Sequence, residues 1–292
     1  MKIAIFGKSL PEENKDYIRQ LFQKLESVGV SLIIYEPFYK KLKKYIPLKP
    51  GISVFNDHNG LNGDIDFLFS IGGDGTLLDT ITFVHNSGIP ILGINLGRMG
   101  FLSSVSKEKI GQAVDQLLNG RFKLDQRTLL MLETRNNLFG ELNYALNELT
   151  VYKKDPFSML KIQAYVNDEF LNSYWADGLI VATPTGSTAY SLSNGGPIIL
   201  PRSQNFVITP IATHNLTVRP IVIPDNSEIK IKVVGRIKEF FVSLDSRSEA
   251  VDSSVELTVK KENFNINLIR LEDEKYFKTI RDKLMWGLDI RN

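Results

Sequence analysis

The chain has 292 residues, room for one large domain or two ordinary ones, and its 43% apolar and 23% charged residues give a globular rather than a disordered composition. Its 35 Lys and Arg against 33 Asp and Glu leave a net charge of +2, too little for whole-protein attraction to nucleic acid or to an anionic membrane. The absence of cysteine excludes disulfides, zinc–thiolate sites, iron–sulfur clusters and thiol nucleophiles and suits a reducing compartment; the three histidines, His58, His85 and His214, are too scattered for a His-rich metal site.

Met1-Lys2 precedes only the short apolar run Ile3 to Phe6. That run lacks the roughly 7–15-residue apolar region of a signal peptide and reads as a strand covered on both faces. Pro11-Glu12-Glu13 opens a helix with acids at its positive end, Ile18, Leu21, Phe22 and Leu25 follow at helical spacing, and Gly29 ends it. Ser31 to Tyr35 reads as a second strand, and Pro37 to Gly63 as an irregular stretch whose basic cluster, Lys40 to Lys44, is a solvated face. Phe67 to Ile71 is a buried strand that runs into Gly72-Gly73-Asp74-Gly75-Thr76, followed by a helical pattern through Val84. Pro90 to Ile94 is the next strand, ending at Asn95-Leu96-Gly97-Arg98-Met99-Gly100-Phe101-Leu102, and a helix spans about Lys107 to Asn119. This alternation predicts an α/β domain on a parallel sheet.

Beyond Arg121 the apolar period changes to two. Leu160, Ile162, Ala164 and Val166 alternate up to a hairpin turn at Asn167-Asp168; Ile229 to Val233, Val255 to Val259 and Phe264 to Leu268 alternate likewise. This half is expected to be mostly antiparallel β, with a helical pattern returning at Tyr276 to Leu284. No stretch approaches the ~18 apolar residues of a spanning helix, so the chain reads as soluble and cytoplasmic.

Chemistry concentrates in three segments. No Walker-type loop, dinucleotide fingerprint or protein-kinase signature is present. The Gly72 to Thr76 loop follows a buried strand and opens a helix, so its N–H groups are placed to approach phosphate oxygens, and Asp74 to orient a hydroxyl or take its proton; a tight turn with Asp74 as helix cap is the other reading. From Asp177-Gly178 to Gly195-Gly196-Pro197, a strand at 178–182 passes into a turn whose hydroxyls (Thr183, Thr185, Ser187, Thr188, Tyr190) suit phosphate and ribose contacts or, more plainly, cap a helix. Asn147-Glu148 interrupts an apolar stretch; a carboxylate there either takes ribose hydroxyls or marks a bulge. His214 reads as a satisfied, partly buried histidine.

Together these segments, in this order and over most of the chain, resemble the NAD kinase family. The Gly-Gly-Asp-Gly loop alone is shared with diacylglycerol-kinase-like lipid kinases and related phosphofructokinases; the long 177–197 segment is the specific part. The resemblance implies a Rossmann-like α/β domain at residues 1–125, a β-rich NAD-binding domain at 126–270, and a helix at 271–292 packing back on the first domain. It also implies transfer of the terminal phosphoryl group of ATP, or of polyphosphate, to the 2′-hydroxyl of the adenosine ribose of NAD, giving NADP. Asp74 is then the general base; Gly72 and Gly73 face phosphate and Gly75 lies beside NAD. Asn147 and Glu148 hold NAD hydroxyls, Asp177 the nicotinamide end, and Thr188, Ala189, Tyr190, Ser193 and Ala212 the remaining contacts. Magnesium travels with ATP, no metal is held by the protein itself, and a homodimer or homotetramer without nucleic-acid or membrane partners is implied. Trp175, Asp79, Thr213 and Arg247 depart from the family pattern, and Arg247 is either a nucleotide contact or a surface residue. The alternatives are a diacylglycerol-type lipid kinase and a non-catalytic NAD(P)-binding sensor.

Overall fold

In the computed structural model, which describes residues 1–61, 64–97, 100–103, 105–272 and 275–286, the chain divides into two units. Met1–Gln126 and Ile266–Asn292 form the first; Arg127–Asn265 form the second.

The first unit is Rossmann-like. Strands β1 (Lys2–Gly7), β2 (Ser31–Tyr35), β3 (Ser53–Phe55), β4 (Phe67–Ile71) and β5 (Ile91–Asn95) lie parallel in the order β3-β2-β1-β4-β5. Helices α1 (Lys15–Ser27), α2 (Glu36–Leu42), α3 (Asp74–Val84) and α4 (Ile110–Leu118) connect them, with the two-residue strand β6 (Val105–Ser106) beside β5. Strand alternation sorts the helices to opposite faces. Ile3, Ile5, Phe69 and Ile71 pack with α1 and α4, whereas Ser70 hydrogen-bonds Thr80 of α3 (2.8 Å) and Phe6 stacks near Phe83 (4.8 Å).

Helix α2 falls within the stretch expected to be irregular. Its signals are local: Glu36 and Pro37 in the first turn, Lys40 and Lys41 in the last, and Phe38 and Leu42 buried four residues apart. The helix expected from Pro11 begins as a turn of 3-10 helix at Glu12–Asn14, closed by the Asn14 N–H on the Pro11 carbonyl (3.0 Å), and the buried Asn14 side chain donates to the Leu96 carbonyl (3.0 Å).

The second unit is antiparallel β. Strands β7 (Phe122–Glu133) and β8 (Tyr144–Ala145) lead into β9 (Glu148–Lys153), β10 (Leu160–Val166), β11 (Glu169–Ala176) and β12 (Gly178–Ala182). The short helix α5 (Tyr190–Ser193) precedes β13 (Asn205–Ile211), β14 (Ile221–Pro224), β15 (Ile229–Val234), β16 (Glu239–Leu244) and β17 (Arg247–Asp252). One sheet runs β14-β13-β12-β9-β16-β17; β11, β10 and β15 pair in turn with the start of β18 (Leu257–Leu271). The two sheets bury a shared aliphatic core that includes Leu149, Val151, Ile162, Leu179, Ile231 and Val242. Asn167 and Asp168 both take positive φ (52° and 66°), as a tight hairpin turn demands.

The runs at 255–259 and 264–268 are one long strand. The buried positions of β18 are Leu257 and Val259 at its start and Ile266, Leu268, Ile269 and Leu271 at its end, so one face of the strand is covered in the second unit and both are covered in the first. In the first unit Leu268 pairs in parallel with Ile91, and α6 (Tyr276–Leu284) follows.

Candidate functional site

In the first unit β4 ends at Ile71 and α3 starts at Asp74, so the glycine loop is a strand-to-helix turn. Gly72 has φ +152°, and a Cβ there would stand 2.3 Å from the Thr76 hydroxyl, so only glycine fits. Its N–H donates to the Ile94 carbonyl at 2.9 Å and is therefore part of the sheet, not free to face phosphate as expected. The N–H groups of Gly73, Asp74 and Gly75 are the ones that helix geometry leaves pointing forward, at the positive end of α3.

The Asp74 carboxylate is fixed from outside its own helix. Its Oδ2 accepts the Phe101 N–H (2.7 Å), and its Oδ1 accepts those of Leu102 (3.2 Å) and Ser103 (2.9 Å). Two segments that the sequence presents separately, 72–76 and 95–102, thus meet through one side chain, and the cap reading fails. Gly100 is part of the same fit: a Cβ there would lie 2.0–2.1 Å from the carboxylate atoms. Arg98 and Met99 of this motif lie outside the described residues. Asp79 pairs with Lys8 just past the end of β1 (2.5 Å).

In the second unit Asn147 and Glu148 stand at the entry to β9, and the device that holds them is Asp245 in the β16–β17 turn. Asp245 (φ +52°) accepts the N–H groups of Leu146 (2.9 Å), Asn147 (2.8 Å) and Glu148 (3.2 Å), and donates its own N–H to the Glu148 carbonyl (3.0 Å). Gly186 is confined by the same segment, since a Cβ would stand 2.1 Å from the Asn147 carbonyl oxygen. Glu148 Oε2 is enclosed without a hydrogen-bond partner. Burial, reinforced by the nearby Asp245 charge and opposed by a bond from the Tyr190 N–H, pushes the Glu148 carboxyl up to about 8. Burial also raises the Asp245 carboxyl, against the pull of its three N–H donors and Arg247.

Arg247 turns its guanidinium to the carbonyls of Leu142 and Tyr144, behind the Asn147 segment, and lies over the Tyr144 ring (5.7 Å). It braces the site from the rear. Sequence reasoning missed Asp245 and Arg127. Asp245 looks like an ordinary turn residue between two alternating strands; buried Arg127, which donates to the Thr185 hydroxyl (3.1 Å), carries no local signal.

The hydroxyl-rich turn divides into an inner and an outer set. Thr183, Thr185 and Ser187 are buried; the Thr183 hydroxyl is spent on the Leu146 carbonyl and that of Ser187 on the Pro184 carbonyl (2.7 Å). Half-buried Thr188 and Ala189 and exposed Tyr190 and Ser193 form the outer set. Asp177 pairs with Lys153 (2.8 Å), and its N–H donates to the Ile211 carbonyl (2.9 Å), which brings it beside exposed Ala212 (φ +45°). His214 is exposed rather than partly buried, with its N–H on the Trp175 carbonyl (2.9 Å). Half-exposed Trp175 has the Lys161 ammonium over its ring (5.3 Å), and the Thr213 hydroxyl reaches the Trp175 carbonyl at 3.4 Å. Among the described residues no three His, Asp or Glu side chains converge on a metal site, and no helix is long and apolar enough to cross a membrane.

Comparison with known proteins covers nearly the whole chain. Residues 3–122 match the ATP-NAD kinase N-terminal domain and residues 146–271 the ATP-NAD kinase C-terminal domain. The NAD kinases of Cytophaga hutchinsonii and Flavobacterium johnsoniae are 46% and 47% identical to it, and each alignment covers 100% of both chains. Among solved structures, yeast NADH kinase complexed with NADH superposes with a TM-score of 0.89 at 24% identity, over 100% of this chain and 89% of that one. An NAD kinase from Archaeoglobus fulgidus in complex with ATP gives 0.75 at 24% identity, over 98% and 99%.

Proposed function

The chain belongs to the NAD kinase family, and from that premise we propose that it transfers the terminal phosphoryl group of ATP to the 2′-hydroxyl of the adenosine ribose of NAD, forming NADP. The observation that carries the reading is Asp74, one carboxylate held by three backbone N–H groups at the head of a glycine loop. Phosphoryl transfer asks mainly for position and charge neutralisation. Oδ2 takes a single N–H and so keeps a lone pair for the acceptor hydroxyl, which it orients and whose proton it accepts as general base. The forward-pointing N–H groups of Gly73, Asp74 and Gly75 receive phosphate oxygens of the donor.

Asn147 and Glu148 are assigned to NAD hydroxyls, for which the unpartnered Glu148 Oε2 supplies an acceptor. Asp177, Thr188, Ala189, Tyr190, Ser193 and Ala212 are assigned to the remaining nucleotide contacts. We give Arg247 a supporting role, because its guanidinium is engaged with main-chain carbonyls. A divalent ion such as magnesium would travel with the phosphates of ATP and supply neutralisation of their charge. The test is NADP formation from NAD, ATP and magnesium, read by a strictly NADP-dependent dehydrogenase, with Asp74→Asn beside the wild type. No turnover by folded wild type with ATP or polyphosphate refutes the assignment; phosphorylation of diacylglycerol vesicles by the same preparation replaces it with the lipid-kinase reading.

A further inference from the structure

Trp175 stands one residue from the end of β11 and two from Asp177, and its indole is 42% exposed. Two residues of extended chain span about 7 Å and send their side chains to the same side, so the indole and the Asp177 carboxylate share one side of the chain. The segment after β13 is tied to the same place. The Asp177 N–H donates to the Ile211 carbonyl (2.9 Å), and the Trp175 carbonyl accepts the His214 N–H (2.9 Å). Exposed Ala212 (φ +45°) lies between those two bonds. Trp175, Asp177 and Ala212 thus frame one corner of the second unit.

Lys153 and Lys161 set the charge balance there. Lys153 Nζ bridges the Asp177 carboxylate (2.8 Å) and the Pro156 carbonyl (2.8 Å), and the side chains of the ion pair are only 13% and 25% exposed. The Asp177 charge is therefore matched within the protein, and what it offers a ligand is a hydrogen-bond acceptor. The Lys161 ammonium lies 5.3 Å from the Trp175 ring centroid, so the indole already serves as a receptor for a cation.

We infer that Trp175 stacks on the nicotinamide ring of NAD and makes the site favour the oxidised, positively charged ring over the reduced, neutral one. This role rests on the assignment of Asp177 and Ala212 to NAD. Oxidised nicotinamide is a flat cation, which an indole face attracts through dispersion and through the ring quadrupole; the reduced ring keeps only the first of these. Asp177, matched by Lys153, accepts from the carboxamide N–H that both forms carry, and so does not tell them apart. Lys161 opposes the oxidised ring, because its ammonium draws on the same quadrupole and repels a second positive charge. Charge selection at this corner then falls to the balance between one indole and one ammonium.

Trp175 and Trp286 are the two tryptophans of the chain, so a Trp286→Phe protein reports on Trp175 alone. In that protein NAD, titrated without ATP, is expected to quench the indole emission saturably and to add a charge-transfer absorption. ADP-ribose, which lacks the nicotinamide ring, is expected to do neither. By calorimetry, Trp175→Leu should weaken NAD about tenfold and NADH about threefold or less, and Trp175→Phe should recover part of the loss. Lys161→Gln should tighten NAD severalfold and leave NADH unchanged. A purely structural Trp175 would weaken both dinucleotides alike, so equal losses overturn the role. Quenching by ADP-ribose as strong as by NAD also overturns it, because the indole then meets another part of the nucleotide. Trp175 emission that follows protein concentration and not NAD overturns it too, by placing the indole at a self-association surface. NADP formation with unquenched Trp175 removes this role alone; folded protein that does not bind NAD removes the kinase reading with it.

Discussion

Glu148→Gln isolates one ionisation that the fold makes unfavourable. The wild-type carboxyl sits at about 8 against an ordinary 4.5, because it is buried beside Asp245. An acid whose pKa is raised on folding binds more protons in the folded state than in the unfolded one. Its stabilising effect is therefore complete below pH 4.5 and is lost as pH climbs through 8. At about 1.4 kcal/mol per unit the shift is capped near 5 kcal/mol, and about 3 kcal/mol of it falls between pH 5 and pH 8. Glutamine has the shape of the protonated acid and cannot ionise. Urea unfolding of wild type and variant is expected to give similar midpoints near pH 5, with the variant the more stable by about 3 kcal/mol at pH 8. Titrating groups other than Asp245, whose ionisation is coupled to that of Glu148, are common to both proteins and cancel in the difference. A gap between wild type and variant that stays constant from pH 5 to pH 8 refutes the reasoning.

The same carboxyl should report on the nucleotide. Ribose hydroxyls donate to the ionised form, so NAD binding at pH 7 is expected to release close to one proton, seen as a calorimetric heat that depends on the buffer; buffer-independent heat refutes the Glu148 contact. Asp74→Asn should lower turnover by about 10²–10⁴-fold and destabilise the first unit by about 1–3 kcal/mol, since the amide NH₂ faces an N–H donor. Gly100→Ala should reduce kcat to a similar degree by driving the Asp74 carboxylate from its place, with circular dichroism unchanged; wild-type kcat would show that the contact is not needed. Asp245→Ala should strip three N–H groups of their acceptor, costing about 3 kcal/mol or more and weakening NAD binding, with partial rescue by Asp245→Asn.

The reach of sequence reasoning follows the range of the forces involved. The hairpin turn at Asn167-Asp168, the parallel strands ending at Ile71 and Asn95, and the glycine turn before α3 all follow from local backbone preference and burial period. Even the overlooked helix α2 carried its Pro, acid and base signals within seven residues. The passage of β18 between units was not readable, because burial on one face at its start and on both faces at its end has no meaning until there are two cores to face.

The site divides in the same way. Composition and apolar period by themselves determined a cysteine-free α/β plus antiparallel β chain, and its motifs carried the resemblance to the NAD kinase family that marks Asp74 and Asn147-Glu148 as candidate site residues. Only the tertiary structure decided what those residues face. It spent the Gly72 N–H on the sheet, buried Thr183, Thr185 and Ser187 as internal partners, and turned Asp74 onto Phe101–Ser103. It also supplied Asp245, 98 positions from the Asn147 N–H that it holds. A glycine turn is selected by its neighbours in the chain, whereas a carboxylate's hydrogen bonds and its pKa are set by whatever donors, charges and water the fold brings within a few ångströms.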